Sequence, residues 1–371
     1  MKNVVFFIGS LQLGGTEAKL ARNILPLLQR RGRVNPKLLL LQERGDMLCI
    51  LPEAIERLSL DESIRTGLFQ MIPRFTDALT RLKADTVVSC MWYPAVVSHL
   101  ARKLRLSRFK HIVHDTVNMT AYIKDHFASE KYQGLKRYLI KKAYSDADAV
   151  IVVSRGEQDD LIQNFNIPAT KIVVLYNPLD RSKIRELSAE NSGIHFEMPM
   201  VVSVGRLVYQ KGFDILIRAF RKVRDHTVAK LLIVGDGEKK EELISFANSL
   251  KLQDDVVFLG MQMNPFQFMR GAEVFCLASR YEGFGIVILE AMALGLPVVV
   301  TDCPSGPAEI VENGKYGLLV PPENVDALAG ALTRILSDPN LMEEMSRLSL
   351  TRAQDFDLEK SIKQWEDVIL L

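Results

Sequence analysis

Short apolar runs of four or five residues alternate along the chain with longer stretches in which apolar positions recur every three or four residues. The short runs read as strands and the longer stretches as amphipathic helices. In the first half the expected strands are Val4–Ile8, Lys37–Leu41, Thr86–Cys90, His111–His114, Val150–Val153 and Ile172–Leu175, with helices such as Glu17–Arg30 and Gln158–Phe165 between them. A run such as Ala149-Val150-Ile151-Val152-Val153 has no polar face, as expected of a parallel strand covered on both sides.

After Tyr176-Asn177-Pro178-Leu179-Asp180 the pattern loosens into a polar segment and then restarts. Met200–Val204, Lys230–Val234, Val256–Leu259, Val274–Leu277 and Pro297–Thr301 read as strands, and Phe213–Arg224, Lys239–Leu250, Val287–Leu294 and Val325–Ser337 as helices. The expected fold is α/β, with two Rossmann-like, doubly wound domains facing a central cleft. Their expected extents are 1–180 and 199–355, joined by a linker over 181–198, with an amphipathic helix in 356–371 crossing back to the first domain. A length of 371 residues agrees, at roughly 100–200 residues per domain. In open parallel sheets ligands sit beyond the carboxyl ends of the strands, so candidate chemistry is sought in the loops that follow them.

Composition is ordinary for a globular chain and adds little. No apolar run approaches the roughly 20 residues that span a bilayer. The opening Met1–Ile8 is too short for a secretory signal and lacks a small-residue cleavage site. Cys49, Cys90, Cys276 and Cys303 lack paired or metal-ligand spacing, which fits small buried side chains in a reducing cytoplasm. Charge changes the picture more. Residues 1–185 hold 29 Lys+Arg against 18 Asp+Glu, whereas the remainder holds 18 against 27. The window His99–Lys142 carries 11 basic and 3 acidic residues interleaved with Leu, Ile and Tyr. Two readings stand: a solvated helix face, or a surface for an anionic partner such as a membrane or lipid phosphate. No nucleic-acid reader motif accompanies the charge, so nucleic acid is not expected as a partner.

Three loops carry candidate chemistry. Gly14-Gly15-Thr16-Glu17 follows the first strand and opens a helix, where backbone comes close to a ligand and N–H groups face an anion. Alone it reads equally as a tight turn, and it lacks the full G-x-G-x-x-G of a dinucleotide site. Gly205-Arg206-Leu207-Val208-Tyr209-Gln210-Lys211-Gly212 holds the equivalent place in the second domain and sets two cations five residues apart, suited to a departing pyrophosphate. Glu282-Gly283-Phe284-Gly285-Ile286-Val287 precedes an apolar helix containing Glu290. Its N–H groups can meet phosphate, and a carboxylate set among Ile288, Leu289, Ala291 and Met292 needs partners such as sugar hydroxyls.

The strand–loop–helix with Glu282 and Glu290 closely resembles the E-x7-E motif of the retaining GT-B glycosyltransferases of family 4. The resemblance extends over nearly the whole chain, through the Gly-Gly loop, Gly205–Gly212, Gly235-Asp236-Gly237-Glu238, Val256–Gly260, Thr301-Asp302 and Ser305-Gly306-Pro307-Ala308-Glu309-Ile310. It implies that Glu282 contacts the donor sugar, Glu290 the ribose, and Arg206 and Lys211 the diphosphate. Backbone from Gly283 through Phe284, Gly285, Ile286 and Val287 would bind sugar and phosphates, with Gly205 alongside and the base near Gly260 and Met261. Gly14 and Gly15 would close on diphosphate and acceptor from the first domain. His114 is the candidate for a histidine beside the transferred sugar, with a structural histidine as the other reading; His99, His111 and His195 receive no role.

Asp214, Asp236 and Asp302 stand isolated and no His/Cys cluster exists, so neither metal nor other cofactor is expected. The implied activity is transfer with retention from a nucleotide sugar, UDP-sugar before GDP-mannose, to a glycan or polyprenyl-diphosphate-linked acceptor. The expected setting is the cytoplasm or the inner face of the cell membrane. A GDP-mannose-dependent mannosyltransferase and a non-catalytic partner subunit of a transferase complex are the alternatives. An NAD-linked dehydrogenase lacks its fingerprint here, and an epimerase or phosphorylase lacks its acidic set or pyridoxal lysine.

Overall fold

Alternation of strand and helix resolves into two parallel sheets. The computed structural model describes all residues except 13, 62–66, 129–131, 192 and 194–196, together with the side chains of all described residues but 68 and 69. His195 and parts of the expected linker and basic window therefore lie outside the described residues. The chain divides into two units, Met1–Pro178 with Leu358–Leu371, and Leu179–Asp357.

Unit 1 contains β1 (Lys2–Ile8), β2 (Val34–Leu40), β3 (Arg57–Ser59), β4 (Thr86–Cys90), β5 (Lys110–His114), β6 (Ala149–Val152) and β7 (Ile172–Val174), in the order β3-β2-β1-β4-β5-β6-β7 and parallel throughout. Side chains of β1 alternate between two cores. Val4, Phe6 and Ile8 pack on one face with Leu20, Ile24 and Trp365, and Val5 and Phe7 on the other with Phe75, Leu79 and Val97. The terminal helix Leu358–Leu370 belongs to the first of these cores through Ile362, Trp365 and Ile369.

Unit 2 contains β8 (Met200–Val204), β9 (Lys230–Val234), β10 (Val256–Gly260), β11 (Val274–Leu277), β12 (Val298–Thr301) and β13 (Leu318–Val320), in the order β10-β9-β8-β11-β12-β13. Both orders reverse direction beside the first strand of the unit, between β1 and β4 and between β8 and β11. Each sheet therefore has a switch point at which the loops after those two strands diverge and leave a crevice.

Two strands depart from the sequence expectation. The edge strands β3 and β13 are three residues long and too short to register as apolar runs. The polar segment after Asp180 also differs from a simple linker. Arg181–Ser188 is a helix, capped by Asp180, whose carboxylate accepts from the Lys183 N–H at 2.9 Å, and Ile184 is buried. A helix with so narrow an apolar stripe reads as solvated chain in sequence.

Candidate active site

The loops after β8 and β11 flank the switch point of unit 2 and carry the two halves of the expected donor site. After β8 the chain turns through Gly205 and Arg206 into the single 3-10 turn Tyr209–Lys211, which ends at Gly212 with φ +62°. A Cβ on Gly212 would stand 2.1 Å from the Ala278 carbonyl oxygen, so glycine lets this turn lie directly on the end of β11. Arg280, after β11, donates its N–H to the Gln210 carbonyl at 2.8 Å, and the Gln210 side chain donates to the Tyr281 carbonyl at 3.0 Å. The two loops are thus stitched through backbone groups.

That stitching brings Lys211 and Glu282 together. Lys211 Nζ lies 2.5 Å from Glu282 Oε1, and the Ser279 hydroxyl donates to the same oxygen at 2.7 Å. Glu282 is 5% exposed. Burial of this pair is compensated by mutual charge and a second hydrogen bond, from Ser279, as a buried ion pair requires. Arg206 differs sharply. It is exposed and, among the described residues, its guanidinium has no hydrogen-bond or ion-pair partner. A fork of five donors therefore stands available a few residues from the pair.

Behind Glu282, Phe284 is buried against Phe356, and Gly285, with φ +88°, opens the helix Ile286–Ala293. The first turn of that helix leaves N–H groups outside the helical ladder, so backbone from Gly285 to Val287 presents donors. Gly306 braces it from the loop after β12, since a Cβ there would sit 2.3 Å from the Phe284 carbonyl oxygen. Glu290, half-buried, lies on the same helix. Gly260 ends β10 at φ +70° next to exposed Met261, and a Cβ at Gly260 would be 3.7 Å from Lys240 Nζ and 3.8 Å from Asp236 Oδ2. The Gly205, Gly235 and Gly260 backbones converge here: Gly235 donates to the Gly260 carbonyl, and its own Cβ would clash with the Gly205 oxygen at 1.9 Å.

In unit 1 the Gly14–Gly15 turn opens the helical segment Gly15–Lys19, which continues as a wider π-helical stretch, Leu20–Ile24, and then as Leu25–Arg31. Lys19 is 3% exposed. Its ammonium donates to Asn177 Oδ1 at 2.5 Å and lies 3.2 Å from His114 Nε2. Burial pushes its pKa down to about 8, against the opposing influence of Cys90, Glu157 and Glu17. To accept from an ammonium, His114 Nε2 must be unprotonated, which puts the ring proton on Nδ1.

A model of the Glycosyl transferases group 1 family matches residues 185–349, and one of Glycosyltransferase Family 4 matches residues 49–183. The chain is 30% identical over 367 residues to the N-acetylgalactosamine-N,N'-diacetylbacillosaminyl-diphospho-undecaprenol 4-alpha-N-acetylgalactosaminyltransferase of Campylobacter jejuni, with 97% of each chain covered. The chain belongs to the family 4, group 1 glycosyltransferases. It is also 27% identical to the amylovoran biosynthesis glycosyltransferase AmsD of Erwinia amylovora, over 66% of this chain and 68% of that one. The crystal structure of Anabaena HepE in complex with UDP and glucose superposes with a TM-score of 0.82 at 24% identity, covering 99% of both chains. The fold of this glycosyltransferase is therefore GT-B.

Within unit 2 the structure groups Gly205, Lys211, Glu282, Gly283, Phe284, Gly285, Ile286 and Val287 around the switch point, with Arg206 at its rim. His114 is the residue for which two readings stand, beside the transferred sugar or structural. The ring is fully buried, 4.9 Å edge-to-face from Trp365, and burial and the Lys19 charge hold its pKa well below the usual histidine value. So enclosed, it has no face open to a sugar, and the structural reading of this histidine is the one its surroundings support. Strand pattern alone cannot separate the two readings, because the end of β5 is near both the loops and the core. Sequence reading missed Lys19, Asn177, Ser279 and Arg280. The lysine was hidden inside an amphipathic helix, and Asn177 and Arg280 because their partners are remote in sequence; Ser279 carries no signal apart from its neighbour Glu282.

Proposed function

We propose that this glycosyltransferase moves a sugar from a nucleotide diphosphate, UDP-sugar before GDP-mannose, to a glycan or polyprenyl-diphosphate-linked acceptor, with retention at the anomeric carbon and without a metal. The observation that carries the reading is the Lys211–Glu282 pair at the switch point beside a free Arg206. A leaving diphosphate gathers charge as the glycosidic bond breaks. Arg206 and Lys211, with the N–H groups of Phe284 to Val287, neutralise it, while Glu282 holds Lys211 in line and faces the sugar. Glu290 takes the ribose hydroxyls, and Gly260 and Met261 border the base.

Among the described residues no three His, Cys, Asp or Glu side chains converge as metal ligands. With the Glu282 carboxylate engaged by Lys211 and Ser279, front-face attack assisted by the departing phosphate is the mechanism we adopt. HepE binds UDP and glucose, and the C. jejuni relative by its name acts on a diphospho-undecaprenol acceptor; both support the substrate classes proposed here. A peripheral place on an anionic membrane is part of the same reading, and rests on the basic first half. No helix among the described residues is long and apolar enough to cross a membrane.

A thermal-shift titration with UDP, GDP, ADP and NADH, without added metal, tests the donor. Ligand at about 100 times its Kd stabilises by roughly 2.7 kcal/mol. UDP alone should shift the transition. A shift with GDP alone selects the mannosyl alternative, and a shift with NADH alone would overturn the transferase reading of the site.

A further inference from the structure

Arg280 lies two residues before Glu282, outside every motif discussed above, and its side chain is held by several polar partners. Its Nη1 donates to the Tyr209 carbonyl at 2.8 Å and to Asp214 Oδ1 at 2.9 Å; Nη2 donates to Asp214 Oδ2 at 2.8 Å; and Nε donates to Glu323 Oε1 at 3.0 Å. The guanidinium also lies 4.1 Å from the centre of the Tyr209 ring, over its face. Its side chain is 13% exposed. Burial opposes the charge, but hydrogen bonds to Asp214 and Glu323 hold the guanidinium above its ordinary pKa, and Arg280 in turn holds Asp214 below the usual carboxylate range despite burial.

The placement of these contacts gives them meaning. Tyr209 begins the 3-10 turn that ends in Lys211, Asp214 lies in the first turn of the next helix, and the Arg280 backbone holds Gln210 between them. One side chain from the Glu282 loop thus grips the Lys211 loop on both sides of Lys211. A fork suits this arrangement, because a planar guanidinium spreads its donors over both Asp214 oxygens, a carbonyl and Glu323, whereas an ammonium has three donors on a single nitrogen.

We propose that Arg280 is a positioning residue that sets the register of Lys211 against Glu282 and so tunes the chemical step rather than donor affinity. The proposal rests on the reading of Lys211 and Glu282 given above. A displaced cation still attracts a ground-state diphosphate, whereas the charge that develops on bond breaking is sensitive to distance. A misplacement of about 1 Å costs on the order of 100-fold in rate.

The test is steady-state transfer kinetics of the full chain with Arg280→Ala and Arg280→Lys, run beside Lys211→Ala, together with melting curves with and without UDP. Arg280→Ala should lower kcat by about 30-fold while donor KM stays within about threefold. Arg280→Lys should recover part of the loss, and both variants should keep the wild-type UDP stabilisation. Wild-type kcat in Arg280→Ala while Lys211→Ala is inactive overturns the positioning role alone. So does a loss of kcat matched by an equal loss of UDP stabilisation, which would make Arg280 a support of the binding site only. Should Arg280→Ala not fold, Arg280→Lys decides: several-fold lower kcat at unchanged KM supports the proposal, and wild-type kcat overturns it. Wild-type turnover in Lys211→Ala would instead remove the reading of the site, and the positioning role with it.

Discussion

Lys211 and Glu282 are 71 residues apart in sequence, yet their side chains meet at 2.5 Å because the loops after β8 and β11 flank the switch point of one sheet. Removing either member has two consequences. On the proposed mechanism Lys211→Ala takes away a donor to the developing charge, and Glu282→Ala leaves a largely buried ammonium and the Ser279 hydroxyl without their partner. Loss of one such preorganised group typically costs about 3–4 kcal/mol in the transition state, or 100- to 1000-fold in kcat. Both variants should fold, as judged by far-UV circular dichroism, and lose transfer on that scale. Near wild-type turnover in either one would remove that residue from the mechanism.

Gly306 tests the brace behind the helix Ile286–Ala293. Its φ of +89° and the 2.3 Å approach of a Cβ to the Phe284 oxygen leave no room for alanine without moving the Phe284 backbone. Strain of this kind costs about 1–3 kcal/mol. Gly306→Ala should therefore weaken UDP binding by about tenfold or more, measured by calorimetry. Gly330 is a control from the same unit. It lies within the helix Val325–Ser337 with open space around its Cβ, so Gly330→Ala should stabilise by about 0.5–1 kcal/mol and leave UDP affinity unchanged. Equal affinities in the two variants would refute the brace.

Much of this was legible in the sequence. The central strands declared themselves as uninterrupted apolar runs, and the glycine loops after β1, β8 and β11 lay where a doubly wound sheet exposes its ligand edge. Short edge strands such as Arg57–Ser59 and Leu318–Val320 carry too few residues for any period, and the register that pairs them is a tertiary fact. The same holds for chemistry. Glu282 and Glu290 belong to a contiguous motif, whereas the contacts of Arg280 with Tyr209 and Asp214 bridge more than sixty residues and leave no local trace. His114 shows the converse limit, since its position at a strand end is compatible with either reading and only the packed Trp365 ring shows its surroundings.

Lys19 gives a pH signature. Its pKa falls from 10.5 in the unfolded chain to about 8 in the folded one, so between those values the unfolded state holds more protons. Stability then rises with pH across roughly pH 8 to 10.5, and the penalty of burying the charge is fully present below pH 8. At about 1.4 kcal/mol per pKa unit the full difference is on the order of 3 kcal/mol. Urea unfolding of wild type and Lys19→Met should diverge in this window, with the wild type gaining on the variant as pH rises. Parallel curves would mean that Lys19 stays charged in the folded protein. The difference between the curves is the quantity to read, because Cys90, whose thiol burial pushes up to about 12, acts in the opposite direction at higher pH.

The proposed membrane attachment depends on which cations are spare. In the window His99–Lys142, Arg102 and Lys103 pair with Asp148 and Asp146, Lys110 caps carbonyls of Val368 and Ile369, and Lys136 lies over the Phe127 ring. Arg105, Arg108 and Lys141 have no such partner among the described residues. On the helix Gln133–Asp146 and the residue before it, Tyr132, Leu135 and Tyr138 are 62%, 55% and 55% exposed, and they share a stripe with Lys142. Aromatic and aliphatic groups beside a cation are the composition of an interfacial surface. Vesicles containing phosphatidylglycerol should therefore sediment the protein at about 0.05 M salt and release much of it at about 0.5 M, where the Debye length falls to a few ångströms. Leu135→Ser with Tyr138→Ser should weaken the low-salt binding by about tenfold or more, since burial of one such side chain is worth about 1.5–3 kcal/mol. Binding that ignores salt, or that is equal on purely zwitterionic vesicles, would leave the charge of this stripe without a membrane role.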